Sequence, residues 1–153
     1  MAPQIGDQAP DFTLTDDQGT PVTLSELRGR NVVLVFYPLA FSPVCTSELK
    51  DISKAIARYD AAGAEVFGIS VDSKWALGAF RRDEGIAARL LADFNPKGAV
   101  ATLYDTYLDD LGFANRSTFV IDKDGRIAHR TTSTVKEARN QEEYLQALAA
   151  CPV

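Results

Sequence analysis

Apolar positions along this chain fall into runs of two kinds. Asn31 to Tyr37 reads NVVLVFY, an unbroken β-branched and aromatic stretch, and Ala64 to Val71 (AEVFGISV) is a second. Runs that do not alternate suit strands buried on both faces, as in a parallel sheet. Between them, starting from Pro43, Leu49, Ile52, Ile56 and Tyr59 recur at helical spacing and predict a helix that Gly63 stops. Further on, Trp75 to Asp83 and Pro96 to Tyr104 predict helices, and Ala88 to Ala92 a short strand. Thr118 to Asp122 and Arg126 to Arg130 flank Lys123-Asp124-Gly125, whose Asp-Gly is a hairpin signal. Glu142 to Ala150 closes the chain as a helix. Ile5 to Gly29 reads as loops and short strands, with a turn at Asp16-Asp17-Gln18-Gly19 and an edge-hairpin alternation from Thr20 to Leu24. Strands alternating with helices, then a hairpin and a last helix, predict an α/β fold with a mixed central sheet flanked by helices. The 153 residues suit one domain, 1–153, with neither repeats nor linkers.

Composition narrows the function classes. A formal net charge of -5 disfavours nucleic acid, because phosphate binding needs a basic face. The longest apolar run, Val32 to Phe41, is half of the roughly 20 residues a membrane-spanning helix needs. The opening MAPQIGDQAPDF has no cationic segment followed by an apolar one, so a cytoplasmic location is expected. Two cysteines, Cys45 and Cys151, do not make a disulfide scaffold and fit a reducing compartment. One histidine, His129, and no Cys/His cluster predict no metal site; His129 reads as a surface or strand residue.

The informative segment is Pro38-Leu39-Ala40-Phe41-Ser42-Pro43-Val44-Cys45-Thr46-Ser47-Glu48. A buried strand ends at Pro38, Ser42 is a good N-cap, and Pro43 a good first helical residue. Cys45 then falls in the first helical turn, among free backbone N–H groups and at the positive end of the macrodipole. Both favour a thiolate. A lone cysteine is commonly a small buried hydrophobe, but a merely structural one has no need of a polar capping turn. Serine at Ser42 also excludes a local Cys-x-x-Cys pair.

Pro38, Ser42 and Cys45 match the P-x-x-x-[TS]-x-x-C signature, and the chain thereby resembles the peroxiredoxin family. The resemblance extends through Ala9-Pro10-Asp11-Phe12, Gly68 to Asp72, Leu91 to Asn95 and Asn115 to Asp122. Pro38 to Phe41 and Ala114-Asn115-Arg116 are most similar to the AhpE-type, one-cysteine subgroup. The resemblance implies a thioredoxin-like fold with N-terminal and central peroxiredoxin additions. It implies a thiol-dependent peroxidase without cofactor, acting on hydrogen peroxide, organic hydroperoxides or peroxynitrite. Cys45 would be the peroxidatic nucleophile, oxidised to a sulfenic acid and recycled by an external thiol, either a thioredoxin- or glutaredoxin-like protein or a small thiol. Ser42 would hydrogen-bond the peroxide; its serine replaces the threonine of many relatives and lacks the methyl that fixes the rotamer. Pro38 would shield the thiolate, and Arg116 would face Cys45 and hold the peroxide. The N–H groups of Val44 and Cys45 would stabilise charge on the oxygens. Glu48 resembles the acidic residue that orients the arginines. Arg139 resembles the second of those arginines, with a solvated charge as the equal alternative.

Trp75, Phe80 and Phe94 read as core or dimer contacts, and Phe41 with Trp75 would suit the homodimer common among relatives. Cys151, before Pro152 and Val153, is similar to the resolving cysteine of two-cysteine relatives, but the arm beyond it is short, and an incidental thiol is the favoured reading. Two rivals stand beside a peroxidase: a peroxide sensor or relay using the same Cys45, and a silent binding domain of the same fold. The combination of Pro38, Ser42, Cys45 and Arg116 argues against the second rival.

Overall fold

The computed structural model describes residues 2–135 and 137–151. In chain order the elements are β1 (Thr13–Asp16), β2 (Pro21–Thr23), a 3-10 turn (Leu24–Leu27), β3 (Asn31–Phe36), α1 (Pro43–Lys54), α2 (Ile56–Ala61), β4 (Ala64–Ser70) and α3 (Lys74–Glu84). They continue with β5 (Arg89–Ala92), α4 (Ala99–Leu103), β6 (Tyr107–Leu108), β7 (Phe113–Ala114), β8 (Arg116–Ile121), β9 (Ile127–Ser133) and α5 (Gln141–Ala150). Seven strands form one sheet in the order β2-β1-β5-β4-β3-β8-β9, and β6 and β7 pair as a separate ribbon. β3, β4 and β5 run parallel at its centre, and β1 and β8 join them antiparallel. This is the mixed α/β sheet that the sequence pattern predicts.

Every residue of β3 is buried, because the strand separates two cores. Val33, Val35 and Tyr37 face Leu49, Ile52, Phe80 and Leu148 on one side. Val32, Leu34 and Phe36 face Phe12, Leu24, Tyr104 and Phe119 on the other. An unbroken apolar run is what two buried faces demand. Each such side chain contributes about 1.5–3 kcal/mol by leaving water. Gly68 on β4 is required by crowding: a Cβ there would lie 2.8 Å from Leu90 and 3.1 Å from the Tyr37 ring. Its absence lets Tyr37 pack flat beneath α1.

Two local expectations are corrected, and one element had no reading in the sequence. The helix from Pro43 does not run unbroken to Gly63, since Ala55 leaves helical geometry at φ -102, ψ 10 and divides it into α1 and α2. The helix expected from Pro96 starts only at Ala99, because Gly98 ahead of it is left-handed at φ 72 and cannot join a right-handed helix. The β6–β7 ribbon has two residues per strand, too few to show a period. Among the aromatic residues, Phe80 is core, whereas Trp75 and Phe94 are exposed. His129 lies on β9, half-buried, 3.8 Å from Glu143. Among the described residues, no helix is long and apolar enough to cross a membrane.

Candidate active site

The parallel strands β3, β4 and β5 end on one side of the sheet, where open α/β sheets place their sites. β3 passes through the buried Pro38 into a loop and then into α1. Ser42 sits at the N-cap and Pro43 opens the helix. The cap departs from expectation, however, because the Ser42 side chain makes no capping bond. Its hydroxyl turns back and donates to the Leu39 carbonyl at 2.8 Å. The Ser42 carbonyl accepts from Thr46 N at 2.9 Å and Thr46 Oγ1 at 2.8 Å. That is the first helical rung, so the Val44 and Cys45 N–H groups lie ahead of it with no intrahelical acceptor. Cys45, the third residue of α1, is fully buried, in the core cluster that also holds Tyr37 and Leu49.

Glu48 lies one turn further along the same helix face. Its buried carboxylate accepts four hydrogen bonds: Arg116 Nη1 at 2.7 Å, and Arg139 N, Nε and Nη2 at 2.6, 3.0 and 2.9 Å. Burial alone would raise the Glu48 pKa, but the hydrogen bonds and charge of Arg139, with Arg116 beyond, hold it below the ordinary carboxylate value. Arg139 is therefore no solvated charge. Its side chain is 1% exposed, and Nη1 also donates to the Phe36 and Ser117 carbonyls at 2.6 and 2.9 Å. These bonds tie the segment before α5 to β3 and β8 through one guanidinium.

Arg116 opens β8 on the face that carries Thr118 and Val120, because side chains two apart on a strand share a face. Its Nε donates to the Val135 carbonyl at 2.8 Å and its Nη1 to Glu48. Nη2 has no hydrogen-bond partner among the described residues. An arginine held by two of its nitrogens offers the third in a set direction. The structure thus gathers Cys45, Ser42, Pro38, Glu48, Arg116 and Arg139 at one end of the sheet.

Cys151 is not in this group. It caps α5, buried, with its thiol donating to the Ala147 carbonyl at 3.3 Å. Burial and the Asp122 charge push its pKa up. Asp122 follows the far end of β8, whereas Glu48 holds Arg116 at the near end. At roughly 3.3 Å per residue, Arg116 and Asp122 stand roughly 20 Å apart. Pro152 and Val153 lie outside the described residues.

Two nearby groups had no reading in the sequence. Asp72, just beyond β4, accepts from Ala40 N at 2.8 Å and from Ser70 Oγ at 2.6 Å. The hydroxyl of fully buried Tyr37 has no well-formed hydrogen bond among the described residues, with Ser70 close by, and burial drives its pKa upward. The available signal was position: both stand where a central strand ends, beside the Cys45 loop.

The AhpC/TSA family model matches residues 5–130. Alkyl hydroperoxide reductase E of Mycobacterium tuberculosis is 37% identical over 147 residues, covering 95% of this chain and 96% of the relative. Peroxiredoxin TSA1 of Saccharomyces cerevisiae is 36% identical over 160 residues, covering 98% and 81%. Among solved structures, peroxidoxin BcpB from Mycobacterium tuberculosis superposes with a TM-score of 0.88 at 30% identity, covering 99% of each chain. Enterococcus faecalis AhpC superposes with a TM-score of 0.88 at 28% identity, covering 97% and 92%.

Proposed function

The chain belongs to the AhpC/TSA family, as a peroxiredoxin and hence a thiol-dependent peroxidase, and from that premise we propose that Cys45 is its peroxidatic nucleophile, oxidised to a sulfenic acid and recycled by an external thiol. The observation that carries this reading is the buried Arg116–Glu48 pair, one helical turn beyond Cys45 on α1. The Cys45 thiolate attacks the terminal oxygen of ROOH. The S–O bond forms as the O–O bond breaks, sulfur is oxidised by two electrons, and the peroxide proton passes to the leaving oxygen to give ROH and a Cys45 sulfenate, which takes a proton from solvent to become the sulfenic acid. Charge on the two oxygens meets the Val44 and Cys45 N–H groups and Arg116 Nη2. Ser42, already donating to Leu39, keeps lone pairs to accept the peroxide O–H. Pro38, buried behind the loop, keeps water away.

Stopped-flow oxidation of the reduced protein by hydrogen peroxide, an alkyl hydroperoxide and peroxynitrite, with mass spectrometry of Cys45, tests this assignment. Arg116→Ala is expected to slow the second-order step about 100-fold, since a cation and a donor are lost. Ser42→Val should slow it about tenfold. Near-native rates in both variants would refute these roles.

The position of Cys151 supports an external reductant. A disulfide needs Cα atoms about 4.4–6.8 Å apart, and within one chain the far end of β8 does not offer that. After one equivalent of peroxide, peptide mapping is expected to find dimedone-trapped Cys45 and unmodified Cys151. A dominant Cys45–Cys151 linkage would overturn one-cysteine recycling. The reductant would be a thioredoxin- or glutaredoxin-like protein or a small thiol: one thiol attacks the sulfenic sulfur and water leaves, and a second thiol attacks the resulting mixed disulfide, releasing the Cys45 thiol and the oxidised disulfide of the reductant. We also infer a homodimer, supported by exposed Phe41, Trp75 and Phe94; a monomer in sedimentation velocity would count against it.

A further inference from the structure

We propose that Asp72 is a positioning residue of this peroxidase, whose carboxylate latches the loop carrying Ser42 onto the end of β4 and must release it before Cys45 meets a thiol reductant. The proposal rests on the reading of Cys45 as the peroxidatic cysteine.

The loop between β3 and α1 does not hold its own shape. Phe41 adopts a left-handed φ of 68, a conformation unfavourable to a bulky side chain, with the residue about half exposed. Hydrogen bonds made inside the loop, from Ser42 N and Ser42 Oγ to the Leu39 carbonyl, move with it. The tie to another element is the bond from Ala40 N to Asp72 Oδ2, at 2.8 Å. Ser70 Oγ donates to that same oxygen at 2.6 Å and sets its direction. A second hold is apolar: the Phe41 ring rests against Phe80 of α3, with centroids 5.0 Å apart. A charge-assisted hydrogen bond, a ring contact and the packing of Ala40 against the core therefore hold the loop next to a thiol that is wholly inaccessible.

A reductant has to reach that sulfur, so the loop must lift. When it does, the Asp72 carboxylate loses a donor. The buried Tyr37 hydroxyl lies beside Ser70, Asp72 and Cys45, near enough to Ser70 for a weak contact but with no well-formed hydrogen bond among the described residues. It stays protonated, because burial penalises the phenolate. In the open form the Tyr37 hydroxyl would donate to the carboxylate in place of Ala40. The element has two arrangements: a closed one for peroxide and an open one for the thiol.

The test uses Asp72→Ala, Asp72→Asn and Ser70→Ala, with Cys151 as an internal reporter. Cys151 is also buried, but lies at the far end of the sheet. In Asp72→Ala, oxidation of Cys45 by hydrogen peroxide is expected to slow about tenfold, and alkylation of reduced Cys45 by a bulky maleimide to quicken about tenfold, which is the scale of one charge-assisted hydrogen bond. Alkylation of Cys151 should stay unchanged. Asp72→Asn keeps an acceptor and should restore most of both rates, and Ser70→Ala should fall between. Native oxidation and alkylation rates in Asp72→Ala would overturn the latch. So would equal acceleration at Cys45 and Cys151, which marks general loosening. Should the unsubstituted protein itself resist oxidation at Cys45, the functional reading fails, and the contrast between the two cysteines still judges the latch.

Discussion

Replacing Cys45 by serine is expected to lower peroxide turnover by roughly four orders of magnitude or more, leaving the fold in place. A serine hydroxyl is scarcely ionised near neutral pH, and its oxygen cannot take the oxidation that sulfur takes. The arginine cluster, the loop and the free N–H groups would all remain, with nothing for them to activate. Because the site is fully buried, the new hydroxyl should cost about 1–2 kcal/mol in stability. The check is peroxide consumption with dithiothreitol as reductant, alongside far-ultraviolet dichroism and a denaturation midpoint. Activity retained in this variant, with Cys151 still present, would remove Cys45 from the chemistry.

Glu48 carries the second large effect. Its carboxylate is the shared anion of two arginines whose side chains are 3% and 1% exposed. Glu48→Ala would leave both cations buried without their partner, a change expected to cost about 3–5 kcal/mol. Glu48→Gln keeps the shape but turns an amide N–H₂ toward arginine donors, and about 2 kcal/mol is expected. Oxidation of Cys45 should slow about tenfold or more in the Gln variant, because Arg116 loses the bond that aims it.

The pH dependence has a definite sign. The folded Glu48 pKa is depressed below its ordinary value, so its contribution is fully present above about pH 4.3–4.5 and is lost as pH falls through the folded value. Native protein should therefore lose stability on acidification below about pH 4.5, and Glu48→Gln should do so with a shallower slope. Parallel slopes in urea denaturation between pH 3 and 6 would contradict the arginine–carboxylate account.

Much of this site was legible along the chain. The turn around Cys45 is local chemistry: a strand that ends in proline, then Ser42 and Pro43 where a helix starts. Such features depend on residues within a few positions of one another, and the resemblance to peroxiredoxins rests on the same short segment. Arg139 was not legible in that way. It stands in a stretch without apolar period, where a solvated charge and a buried ligand of Glu48 look alike. The turning of the Ser42 hydroxyl toward Leu39, away from the helix end, depends on a loop conformation that residue types do not encode by themselves.

The sequence alone determined the central strands, because burial on both faces demands runs such as NVVLVFY and AEVFGISV. It also determined the hairpin at Asp124-Gly125 and the place of Cys45 in a first helical turn, since turns and caps follow from neighbouring residues. Only the tertiary structure decided what surrounds the thiol. Glu48 meets Arg116 across 68 positions and Arg139 across 91, and Ala40 meets Asp72 across 32. It also placed Cys151 at the end of α5 near Asp122, outside the arginine–Glu48 cluster. Charges and hydrogen-bonding groups that far apart in the chain come together only when the sheet packs against α1 and α5, and the low dielectric of that interior makes their pairing strong.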